Sequence, residues 1–127
     1  MGALRYRAPE ILEGSVNLNS DWSLQADVYS LGLVLWEIWM RCSDLFTGAA
    51  VPLHLLPYEQ ELGPTVSLEQ LRQFVSFMNQ RPSLPATWGQ HLQSPDVQDL
   101  LSCCWDSEPD ARPSAACVEN RLSLFTV

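Results

Sequence analysis

The stretch Asp27-Val28-Tyr29-Ser30-Leu31-Gly32-Leu33-Val34-Leu35-Trp36-Glu37-Ile38-Trp39-Met40 constrains the fold more than any other part of the chain. Val28, Leu31, Leu35 and Ile38 recur at helical spacing, while Leu33, Val34, Trp36 and Trp39 fill the other sides. A helix that is apolar on nearly every face needs neighbours packed all round it, which places it at the centre of a domain. It does not read as a membrane span. The run is too short for a hydrocarbon core of about 30 Å, and Asp27, Ser30, Gly32 and Glu37 interrupt it. At 127 residues the chain is one domain's worth.

Around this helix the sequence predicts short helical pieces and long loops. Gly2 to Ala8 has no periodicity and reads as extended. Pro9 can open a short helix to Glu13, which Gly14 ends. Ser15 to Ser23 is polar and turn-rich, with Trp22 as a core anchor. From Cys42 to Val66 the chain is irregular, punctuated by Gly48, Pro52, Pro57, Gly63 and Pro64, as functional insertions or partner surfaces often are. Ser67-Leu68-Glu69-Gln70 fits a capping box, and Leu68, Leu71, Val75 and Met78 form the apolar stripe of the helix that it starts. Arg81 to Pro85 breaks that helix, and Trp88 follows in a loop. Ser94-Pro95 starts another helix carrying Val97, Leu100, Leu101 and Cys104 and ending at Trp105. A polar turn segment, Asp106 to Pro113, leads to a last helix from Ser114 to about Phe125, with Val118, Leu122 and Phe125 on one face. Nothing alternates as a strand. The expected class is all-α, with about four to five helices around the central one.

Charge and composition exclude several functions. Hydrophobic residues make up 46% of the chain and charged residues 17%, a globular balance with more apolar surface than polar residues can cover. The net charge of −8 argues against a nucleic-acid surface and against an anionic membrane patch. All seven basic residues are arginine, so a phosphate-loop lysine, a Schiff-base lysine and a nucleotide-gripping lysine are impossible within this chain. Cys42, Cys103, Cys104 and Cys117 form no CxxC pair, and His54 and His91 complete no metal-ligand spacing, so buried free thiols in a reducing compartment are expected, with no metal. Met1 to Arg5 leads straight into charged residues and Pro9, unlike a signal peptide, and Tyr6 breaks the myristoylation pattern after Gly2.

Gly2-Ala3-Leu4-Arg5-Tyr6-Arg7-Ala8-Pro9-Glu10 resembles the end of a protein-kinase activation segment, with Ala8-Pro9-Glu10 as its A-P-E signature. Asp27-Val28-Tyr29-Ser30-Leu31-Gly32 follows at the spacing kinases use, and Cys104-Trp105 precedes Arg112-Pro113 as in the kinase C-terminal subdomain. The resemblance covers essentially residues 1–127, as the latter part of a kinase C-lobe running from the activation-segment end to the last helix. Arg5-Tyr6 is similar to serine/threonine kinases. Met40 to Leu45, Tyr58 to Gly63, Arg81-Pro82 and Trp88 resemble type II receptors of the transforming growth factor-beta superfamily.

That resemblance implies roles. Glu10 should pair with Arg112, tying the activation-segment end to the loop before the last helix; read from the residues alone, the two could equally be unrelated surface charges. Asp27 should accept backbone N–H groups of the catalytic loop, although an acid there also suits a helix N-terminus. Trp36 and Trp105 are core aromatics, and Gly32 belongs to the helix signature. Leu4 and Tyr6 should line the pocket for the residue after the phosphorylated one. In the full-length parent the family implies ATP and Mg as cofactors, and a type I receptor kinase and a growth-factor ligand as partners. It implies a cytosolic location below a single plasma-membrane span, with no nucleic acid and no direct membrane contact for this chain.

The chain contains no H-R-D, no D-F-G and no glycine-rich nucleotide loop, all of which lie upstream of A-P-E in the family. Ala3 stands where serine/threonine kinases carry a threonine that contacts the catalytic aspartate, and Arg7 occupies a usually apolar position. No residue here is therefore assigned a catalytic role, and the chain alone is expected to be incompetent. Three readings follow: a fragment of a receptor serine/threonine kinase, a truncated non-catalytic interaction module, or a gene remnant. In the family an upstream helix and the catalytic loop also cover the central helix, so exposed apolar surface is expected.

Overall fold

The computed structural model describes residues 2–14, 20–41, 54–84, 88 and 94–124. Its longest element is helix α2, Ser20–Trp39, which begins well before the expected Asp27. Polarity misleads at this end: Ser20 to Ala26 holds no glycine or proline, and Leu24, Gln25 and Ala26 are good helix formers, so the helix extends backwards through them. Trp22, expected as an anchor, lies among the side chains outside the described set.

One side of α2 buries Val28, Tyr29, Leu33, Trp36 and Trp39. The other side corrects the expectation of neighbours all round. Leu24 is 70% exposed and Ile38 58%, with Asp27 and Val34 exposed and Leu31 half-buried between them. These positions alternate by three and four residues, which sets them on one face.

Helix α5, Ser94–Cys104, crosses the buried side of α2. The crossing point is Gly32, where an added Cβ would sit 2.8 Å from the Cβ of Cys104 and 2.8 Å from Nε1 of Trp105. Only glycine admits so close an approach. Val97, Leu100, Leu101 and Cys104 of α5 are fully buried. Helix α6, Ala115–Leu122, is shorter than expected and starts where the hydroxyl of Ser114 accepts from the backbone N–H of Cys117 at 3.1 Å. Val118 is its buried contact; Phe125 lies outside the described residues.

The first residues form a 3-10 helix, Gly2–Tyr6, in place of the extended loop expected. Helix α1, Pro9–Glu13, opens on proline and ends at Gly14 with φ 69°, a left-handed cap that glycine adopts freely. The region predicted as irregular contains a short helix α3, Glu59–Leu62, that no periodicity announced; residues 42–53 lie outside the described set. Helix α4, Leu68–Leu71, starts with both bonds of the capping box, Ser67 N–H to Gln70 Oε1 at 2.9 Å and Gln70 N–H to Ser67 Oγ at 3.1 Å.

Helix α4 runs directly into a π-helical segment, Arg72–Phe77. The wider turn changes which residues face in. Leu71 and Val75 are buried, but Leu68 and Met78, expected on the same stripe, are exposed. Each π turn holds one residue more than an α turn, so the apolar spacing read at 3.6 residues per turn fails there. In all, six α-helices and no strand occur among the described residues.

Candidate functional site

The site is held together by arginines. Arg112, buried in the loop before α6, donates from Nη1 to Glu10 Oε2 and from Nη2 to Glu10 Oε1, both at 2.8 Å. The planar fork meets both carboxylate oxygens, the strongest geometry available to this pair. Its Nη1 also reaches Gln25 O at 3.0 Å and its Nε reaches Asp106 O at 2.8 Å. One side chain thus ties α1, α2 and the turn after α5. Ala8 and Pro9, next to Glu10, are buried in the same joint.

Arg112 also stacks over Tyr29, with Cζ 5.1 Å from the ring centroid, and Arg81 does so at 5.2 Å. The Tyr29 hydroxyl pairs with that of Tyr58 at 2.8 Å. Burial pushes both phenols above their ordinary range. Arg81 closes the other side of the joint, donating to Trp105 O at 2.9 Å and to Val75 O at 3.0 Å.

Leu4 and Tyr6, the expected pocket residues, are half-buried against the core. Ser30 Oγ donates to the Tyr6 carbonyl at 2.5 Å, and the Tyr6 hydroxyl donates to Glu37. The second Glu37 oxygen meets His54 Nε2 at 2.7 Å. Burial, and then the bond to Glu37, raise the Tyr6 phenol well above its usual range.

The structure therefore brings Ala8, Pro9, Glu10 and Arg112 together, and sets Gly32 against Trp105. Trp36 is buried elsewhere along α2, its indole N–H on Ser83 O at 3.0 Å. Asp27 stands apart, exposed on the uncovered face of α2. Arg7 is exposed, and the side chain of Ala3 lies outside the described set.

Sequence reasoning names Arg5, Arg81, Glu37 and His54 but gives none of them the anchoring role they hold in the structure. Arg5, only 3% exposed, donates to Pro57 O at 2.9 Å, Gly63 O at 3.0 Å and Pro64 O at 2.6 Å. Its partners are backbone carbonyls, which leave no mark in a sequence. The dense turn signals from Pro57 to Pro64 were the available hint.

A family profile described as protein tyrosine and serine/threonine kinase matches residues 2–122. The chain belongs to the protein kinase family. Relatives include the human anti-Muellerian hormone type-2 receptor, 42% identical over 98% of this chain and 22% of its own length. Activin receptor type-2A of Gallus gallus is 39% identical over 96% of the chain and 23% of its own length. Activin receptor type-2B of Xenopus laevis is 42% identical over 97% and 24%. The similarity is thus to type II receptors of the transforming growth factor-beta superfamily, and the chain spans under a quarter of these curated relatives' length. The helical fold, with no strand among the described residues, is that of a partial kinase C-lobe. The Glu10–Arg112 joint seats residues 8–10 on the long central helix.

A nucleotide with its metal calls for a lysine on the phosphates and carboxylates on the metal. The chain has no lysine, and among the described residues no group of three or more His, Cys, Asp or Glu could hold a metal ion. Among them, too, no helix is long and apolar enough to cross a membrane.

Proposed function

We propose that this chain is the substrate-side and scaffolding part of a receptor serine/threonine kinase domain, one that in a full-length parent transfers phosphate from ATP to a type I receptor in growth-factor signalling. The observation that carries this reading is the bidentate Glu10–Arg112 pair, which fixes the activation-segment end on α2. Leu4 and Tyr6 then stand where the residue after the phosphoacceptor would rest, with Tyr6 steadied by Glu37 and Ser30. Asp27 is available to receive catalytic-loop N–H groups. It lies among Leu24, Leu31, Val34 and Ile38, on the face that an upstream helix and the catalytic loop would cover. The parent would sit in the plasma membrane with this portion in the cytosol.

On this reading the chain by itself does not catalyse phosphoryl transfer, since base, metal ligands and phosphate donors would come from outside it. Calorimetric titration with ATP and Mg should give no saturable heat; micromolar affinity would overturn that expectation. A longer transcript should carry H-R-D and D-F-G within about sixty residues before Met1, and its product should phosphorylate a type I receptor cytoplasmic domain. An in-frame stop in that interval would instead favour the non-catalytic module. The uncovered face of α2 further predicts that the isolated chain binds hydrophobic dyes and sediments as aggregates.

A further inference from the structure

We propose that the groove between α3 and the π-helical segment docks a basic segment of a partner protein, which inserts an apolar side chain. The inference is independent of phosphate transfer. The groove holds about 370 Å3, floored by Leu62, Phe74 and Met78 and walled by Glu69, Gln70 and Gln73. Its floor is preformed: the Phe74 ring stands edge-on to buried Tyr58, centroids 5.8 Å apart at 78°. The π turn directs Phe77 and Met78 outward, 64% and 53% exposed. Large apolar side chains turned out beside an apolar hollow form a surface that gains by being covered, and π turns recur at functional positions.

Charge selects the occupant. The bordering helices carry Glu59, Glu61 and Glu69, and against them only Arg72. Arg72 is already committed to Leu12 O at 3.0 Å and Glu69 at 3.3 Å. The rim is therefore net acidic, on a chain of net charge −8. It attracts a lysine- or arginine-bearing segment and repels a second copy of itself. The Gln73 amide, and the amide nitrogen of Gln70 whose oxygen is held by the capping box, can serve the backbone of such a segment.

The test is a random peptide display library selected on the full chain. Recovered peptides should combine a Leu, Ile, Phe or Met anchor with flanking Arg or Lys. Their affinity should fall at least about tenfold on Met78→Ser, the truncation of an exposed side chain at a central contact, and less on Glu69→Gln. Raised salt should weaken binding. Circular dichroism of each variant should match the parent. Acidic or uncharged winners, affinity indifferent to Met78→Ser, or no enrichment above background would overturn the proposal. So would a sedimenting dimer that Met78→Ser dissolves, which would assign the groove to a second copy.

Discussion

Arg112 and Arg5 are both buried, yet each is accommodated differently. Arg112 meets a carboxylate squarely and adds two carbonyls and an aromatic face. Arg5 meets no carboxylate among the described residues and lies among three carbonyl oxygens of Pro57, Gly63 and Pro64. In the first case charge cancels charge between parts of the chain about a hundred residues apart. In the second, backbone dipoles alone solvate the cation and gather the irregular segment round it. The difference teaches that a buried arginine can serve as an ion-pair partner or as a template for a loop.

The comparison can be broken in four ways. The largest effect should come from Arg112→Leu, which leaves Glu10 as a partly buried, unpaired charge and should lower the unfolding free energy in urea by about 3–5 kcal/mol. Adding Glu10→Gln should cost less than the sum of the two singles. A loss under about 1 kcal/mol would reduce the pair to a surface contact. Arg5→Met should cost about 1–3 kcal/mol by orphaning carbonyls, and should add simply to Glu10→Gln, since the two share no partner. Gly32→Ala tests whether the α2–α5 crossing matters alongside the arginines; the contacts at 2.8 Å imply an overpacking loss of about 1–3 kcal/mol in the same assay.

The smallest effect is one of pH. Tyr6, Tyr29 and Tyr58 are raised in the fold, and Cys104 is pushed up to about 11 by burial. Each contributes stability that is present below its unfolded value, about 8.5 for thiol and 10 for phenol, and lost as pH rises towards the folded one, because the unfolded chain ionises first. Melting temperature should therefore decline in alkali from about pH 9 upward, and Cys104→Ala should remove the earliest part of the decline. Glu37→Gln should return the Tyr6 phenol towards its ordinary range in a spectrophotometric titration, while Tyr29, beside both Arg81 and Arg112, stays as it was.

Much of this was legible in the sequence where a local rule operates. Pro9 and Gly14 bracket α1, Ser67 and Gln70 form the capping box, and Ser114 caps α6, because each signal acts within a few residues. Motif order pairs Glu10 with Arg112, and the fold holds them at 2.8 Å. What stayed hidden depends on tertiary context. The early start of α2 was masked by polar residues that tolerate helix, and α3 is too short to show a period. The exposure of Met78, just past the π segment, follows from a turn width that spacing cannot disclose. Glu37 reads as an interruption of an apolar run until Tyr6 and His54 are seen on its two oxygens.

The π-helical segment has a consequence for length variation. A π turn accommodates one surplus residue, so losing a single codon between Arg72 and Phe77 would let the backbone relapse into ordinary α geometry. Five α residues at about 100° each turn through nearly the same angle as the π run does now, so everything after the deletion would hold its present facing, the methionine thioether included. An allele shortened there would lose the bulge yet retain its outward-facing surface, whereas the same loss from α5 would turn every later position by about 100°.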